Sequence, residues 1–74
     1  MEAVDVEAPM PGTVLEVMVS KGDTVGAEDE LLIVESMKME VPITAPAAGT
    51  VSEVLVSDGV AIAEGDVLMR ISTG

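Results

Sequence analysis

The chain has no cysteine, no histidine and no aromatic residue, and only three of its 74 residues are basic. Without cysteine there is no disulfide and no thiolate metal site, and without histidine no imidazole ligand. No Cys, His or Tyr is present to build a nucleophile–base pair, so an autonomous enzyme is not expected. The missing aromatics remove the platforms on which unstacked bases rest. Three cations against fourteen acids give a net charge of −11. That charge repels nucleic acid and anionic membranes and favours partners with basic docking surfaces. No apolar run reaches the length of a membrane span or a signal-peptide core, so no direct membrane insertion is expected. These absences together point to a soluble, cytoplasmic protein.

What is present is mostly valine. Thirteen valines, with Ala, Met, Leu and Ile, make up the apolar set. Stiff β-branched side chains suit a pleated surface, which argues for sheet and for a thin core of many small contacts. At 74 residues the chain is expected to be one domain, 1–74, near the lower limit for a single core.

The chain repeats itself. Ala8-Pro9-Met10-Pro11-Gly12-Thr13-Val14 aligns with Ala45-Pro46-Ala47-Ala48-Gly49-Thr50-Val51 at an offset of 37 residues, and twelve positions are identical between 8–37 and 45–74. A duplicated half-domain with internal two-fold symmetry follows. Val4 and Val6 mark a first strand, Thr13–Val19 and Thr50–Val56 a matched pair, and Leu31–Val34, Met39–Ile43 and Val67–Ile71 the rest. In both matched runs the inward positions step by three and then by two (Val14, Val17, Val19; Val51, Val54, Val56), which predicts a bulge. Pro42 predicts an edge or an irregular pairing for Met39–Ile43. No segment combines helical periodicity with caps. The fold class is all-β, a sandwich or flattened barrel.

Between the halves lies Glu35-Ser36-Met37-Lys38-Met39-Glu40, with Lys38 the only cation between Lys21 and Arg70. Leu31–Glu35 and Met39–Ile43 leave room for a two-residue turn centred on Met37 and Lys38. Such turns favour Asn-Gly or Asp-Gly because both residues take positive φ. Met-Lys is a poor structural choice, and local rules tend to be broken at functional sites. Methionines beside an exposed lysine suit contact with a partner. A solvated turn lysine is the plain alternative on spacing alone.

The Glu-Ser-Met-Lys-Met stretch, preceded by Ala-Pro-Met-Pro-Gly and followed by Ala-Pro-Ala-Ala-Gly, resembles the biotinyl domain of biotin carboxyl carrier proteins, over about Val6 to Ile71. The resemblance implies a flattened β-barrel, a barrel-sandwich hybrid, of two four-stranded antiparallel sheets with a pseudo-two-fold axis. It implies that Lys38 carries biotin as an amide and that Glu35, Met37 and Met39 are read by partners. A biotin protein ligase would attach the biotin. Biotin carboxylase and carboxyltransferase or decarboxylase components would then pass carboxyl groups to and from it. The chain itself would be a non-catalytic carrier. Ser36 stands where the family most often has Ala, Glu28 where many members have Gly, and Val60 where an Asp follows the glycine in the first half. No insertion follows Thr13–Val19, so the protruding thumb of some bacterial carriers is absent.

Two rivals share the fold. A lipoyl domain has a lysine on the equivalent hairpin, usually within Asp-Lys-Ala; an unmodified interaction module would use the same barrel for docking. The Glu28-Asp29-Glu30 run reads as a solvated turn rather than a calcium site. Gly12, Gly22, Gly49, Gly59 and Gly65 read as turn residues.

Overall fold

The valine-rich runs become strands, and the turn signals between them become the ends of two sheets. A computed structural model describes residues 2–73; Met1 and Gly74, the outer bounds of the expected domain, lie outside the described residues. Eight strands follow one another: β1 (Glu2–Glu7), β2 (Gly12–Val17), β3 (Thr24–Val25), β4 (Glu30–Ser36), β5 (Met39–Thr44), β6 (Gly49–Val54), β7 (Ala61–Ile62) and β8 (Val67–Thr73). They form two four-stranded sheets, ordered β1-β8-β6-β3 and β5-β4-β2-β7. Every pairing is antiparallel.

Adding 37 to the residue numbers turns β1 into β5, β2 into β6, β3 into β7 and β4 into β8, and so converts one sheet order into the other. The structural correspondence reaches back to Glu2 and Met39, beyond the stretch where identities are visible. Reciprocal backbone bonds repeat it. Gly22 N donates to Val51 O and Val51 N to Asp23 O, both at 2.8 Å; Gly59 N donates to Val14 O at 2.7 Å and Val14 N to Val60 O at 2.8 Å. The end of β2 therefore meets the start of β6, and the end of β6 meets the start of β2. The two strand starts lie at opposite poles of a body measuring 36 × 18 × 17 Å.

The core lies between the sheets. Val14, Val51, Leu31, Leu32, Leu68 and Ile71 are among its fully buried side chains, and among the described residues no polar side chain is buried. The expected bulges are present: the register shifts between Val14 and Glu16 and between Val51 and Glu53, leaving Leu15 and Ser52 as the extra residues. Each bulge turns a valine inward at both ends of the strand. The strands expected to reach Val19 and Val56 stop at Val17 and Val54. Beyond those points Met18 N and Leu55 N each donate at 2.9 Å, to Leu31 O and Leu68 O. Pro42 sits in β5, an edge strand, as its missing N–H requires.

Two glycines do a different job from the turn duty expected of them. A Cβ on Gly12 would fall on the Glu35 carbonyl oxygen and within 2.8 Å of Val34 Cγ1; one on Gly49 would meet the Ser72 carbonyl oxygen and lie 2.8 Å from Ile71 Cγ2. They allow a neighbouring strand to approach closely. Asp29 also does more than face solvent: its Oδ2 accepts from Gly26 N at 2.7 Å, as Asp66 Oδ2 does from Ala63 N at 2.8 Å. On the outer face Arg70 bridges three strands, 3.0 Å from both Asp5 Oδ1 and Glu53 Oε1. Hydrogen bonds to Glu53 and then Asp5 hold its guanidinium above the ordinary arginine range.

Candidate functional site

β4 and β5 are joined by the shortest hairpin connection. Ser36 pairs with Met39, Glu35 with Glu40 and Val34 with Val41, leaving Met37 and Lys38 as the turn. Both take positive φ, 53° and 66°, the backbone that a type I′ turn demands. For residues with a Cβ this costs about 1–2 kcal/mol each, so the rest of the hairpin must hold the turn in place.

Its base does so. Below the tip Val34 is fully buried and Val41 packs against the core, and Leu32 pairs with buried Ile43. On the flank, Ser36 Oγ donates to the Pro11 carbonyl at 2.8 Å, and Gly12 lets β2 press against the Glu35 carbonyl. The result is a fixed base under an open tip. Met37 is 92% exposed and Met39 65%, and Lys38 is also exposed. Among the described residues the ion pairs are those of Arg70, and no carboxylate of these residues holds the Lys38 ammonium. Glu35 and Glu40 lie directly opposite each other, both exposed. This like-charged cross-strand pair weakens the hairpin slightly and leaves two carboxylates available to a partner.

All four sequence-derived site residues, Glu35, Met37, Lys38 and Met39, thus share one pole. The anchors Pro11, Gly12 and Ser36 lie outside the set of site residues that the sequence suggests. Ser36 carried one signal: a hydroxyl in place of the usual alanine. The paired residues Glu2 and Thr73 lie with the start of β6, at the opposite pole from Lys38. Among the described residues no group of His, Cys, Asp or Glu is placed to hold a metal ion, and no helix is long and apolar enough to cross a membrane.

Comparison with known proteins gives this pole its context. Residues 4–71 match the biotin/lipoyl family model, described as "Biotin-requiring enzyme". A "Biotinylated protein TB7.3 homolog" of Mycobacterium leprae is 54% identical over 41 residues, which is 55% of this chain and 58% of that protein. The "Biotin carboxyl carrier protein" of Streptococcus mutans is 61% identical over 33 residues, 45% of this chain and 25% of that one. These alignments thus span about half and a quarter of the relatives' lengths. Among solved structures, a single-chain, multi-domain long-chain acyl-CoA carboxylase superposes with a TM-score of 0.91 at 32% identity, over 97% of this chain and 7% of that chain. With a family match running from β1 into β8 and a lysine-tipped hairpin at the seam of two equivalent halves, this chain belongs to the biotin/lipoyl family of biotin-requiring enzymes.

Proposed function

We propose that residues 1–74 form a single biotinyl domain, a biotin carboxyl carrier that holds biotin as an amide on Lys38 Nζ. The observation that carries this reading is the turn itself: a lysine in left-handed backbone at an open tip, without an ion pair among the described residues, between two exposed methionines. These residues fit a covalently held acyl group, because the amine is accessible and its neighbours give an enzyme something to grip. Bound biotin supplies a ureido nitrogen that accepts and releases a carboxyl group.

Lys38 Nζ must lose a proton before it can attack an activated biotinyl group. Among the described residues no side chain is bonded to it, so in this reading a biotin protein ligase provides both the base and the activated acyl donor. Met37 and Met39 present apolar surface to that ligase, and Glu35 presents a carboxylate at the turn's base. The left-handed turn leaves Lys38 exposed at the tip, and the anchored strands fix the backbone that carries it. In the loaded state the chain contributes position rather than chemistry: an arm reaching on the order of 15 Å keeps the carrier concentrated near each active site. The partners are then biotin carboxylase and carboxyltransferase or decarboxylase components, and the setting is the cytoplasm. A lipoyl carrier is the lesser reading, because Met-Lys-Met replaces Asp-Lys-Ala at the hairpin.

Intact mass measurement after coexpression with a biotin protein ligase tests the proposal. One biotinyl group is expected on the chain and none on Lys38→Arg. A lipoyl mass, or an unmodified chain beside an active ligase, would overturn it. Amide formation also removes one positive charge, taking −11 to −12, which native electrophoresis resolves.

A further inference from the structure

Away from the hairpin, one groove of about 260 Å³ runs where the open edges of the two sheets come together. β1 is the edge of one sheet and β5 the edge of the other. The residues lining the groove fall into pairs related by the 37-residue shift: Val6 with Ile43, Asp5 with Pro42, Glu7 with Thr44, and the proline of each shared Ala-Pro dipeptide. The groove therefore lies on the pseudo-two-fold axis. Symmetry accounts for its floor, since Val6 and Ile43 are both buried aliphatic residues.

Symmetry does not account for its rims. One carries Asp5 and Glu7, and the other has Pro42 and Thr44 in the equivalent positions. Asp5 is held by Arg70 at 3.0 Å. Glu7 is exposed and has no ion pair among the described residues. The rim with Pro42 has lost a backbone donor, whereas the β1 rim keeps all of its own. Backbone groups of β1 that point away from β8 have no strand partner. The volume lies below that of clefts enclosing small-molecule ligands, and it suits the side chains of a passing segment.

We propose that this groove docks an extended, lysine- or arginine-bearing segment of a partner protein, added as a strand along β1 with a cation on Glu7. Strand addition satisfies the open edge. The cationic side chain lays its aliphatic stem against the prolines and Ile43 while its head reaches the carboxylate. The charge disfavours the obvious competitor, a second copy of this chain, whose net charge is also −11. The site is remote in function from Lys38, so it can be tested on the unmodified chain.

Two capped heptapeptides of equal composition serve as probes, Lys-Val-Lys-Val-Lys-Val-Lys and Lys-Lys-Lys-Lys-Val-Val-Val. Only the first puts its lysines on one face of a strand. In an amide chemical-shift titration at physiological salt, the alternating peptide is expected to give saturable shifts at Asp5–Glu7 and Ile43–Thr44, about fivefold tighter than the blocked peptide. Glu7→Lys should weaken binding about tenfold, and Thr44→Glu, which adds a charge to the opposite rim, should tighten it about threefold. Equal affinity for both peptides, shifts spread over the acidic surface, no binding, or indifference to both substitutions would overturn the proposal. So would peptide-free, concentration-dependent shifts at the groove, which would identify a second copy as the occupant.

Discussion

Among the described residues three that are not glycine take positive φ: Glu28 at 71°, Met37 and Lys38. Met37 and Lys38 form the proposed attachment turn, but Glu28 lies elsewhere. Its mate under the 37-residue shift is Gly65, with φ of 89°. The two share a backbone task, Glu28 N donating to Ala45 O at 2.8 Å and Gly65 N to Ala8 O at 2.9 Å. A left-handed non-glycine residue costs about 1–2 kcal/mol, and glycine's extra unfolded-state freedom offsets about 0.5–1 kcal/mol of the relief. Glu28→Gly should therefore stabilise the protein by about 0.5–1 kcal/mol, and Gly65→Ala should destabilise it by a similar amount. Urea midpoints read both, and a lowered midpoint for Glu28→Gly would show that its side chain makes a compensating contact. Comparing the halves exposes the oddity of Glu28 from sequence alone. The role of Gly12 was not legible in that way. The atom it makes room for, the Glu35 carbonyl oxygen, belongs to a strand that only the folded chain brings alongside.

At the scale of elements, legibility followed length and local chemistry. The β4–β5 hairpin is readable because two apolar runs flank two residues, and Pro42 limits β5 to an edge or an irregular pairing, of which the fold takes the edge. The bulges at Leu15 and Ser52 were readable because the valine spacing breaks alternation identically in both halves. β3 and β7 were not read as strands. Each has two residues, too few for any period, and each exists because tertiary pairing with β6 or β2 places it there. The hairpin carries one further element-scale cost. Glu35 and Glu40 face each other directly, and like charges so placed destabilise by about 0.2–1 kcal/mol. Glu40→Lys converts repulsion into attraction and should raise stability by about 0.5–1 kcal/mol at low salt, less at high salt. Thermal melts at the two ionic strengths measure it. A gain that ignores salt would mean helpful packing by the new side chain rather than relief of charge.

On the scale of the whole molecule, the acidic surface sets the conditions under which the fold survives. Fourteen acids and three cations share a body 36 × 18 × 17 Å in extent, so at low salt most charges lie within one another's reach. The Debye length is about 30 Å at 0.01 M and about 3 Å at 1 M. Among the described residues the ion-paired attraction is confined to Arg70 with Asp5 and Glu53, on an exposed face. Pairs of that kind contribute little when solvated, whereas the unpaired carboxylates repel throughout. Screening must therefore remove more repulsion than attraction. Sodium chloride raised from about 0.01 M to about 0.5 M should stabilise the fold by on the order of 1 kcal/mol. For a chain this short that is a rise in Tm of about 4–8 °C. The aliphatic core gives salt nothing specific to act on, because it contains no buried polar side chain among the described residues. A Tm that fell with salt would place the dominant electrostatics in the Arg70 cluster, and Arg70→Leu would then abolish the dependence. The amide proposed at Lys38 would shift the same balance by one charge, so a chain modified there should be the more salt-sensitive of the two.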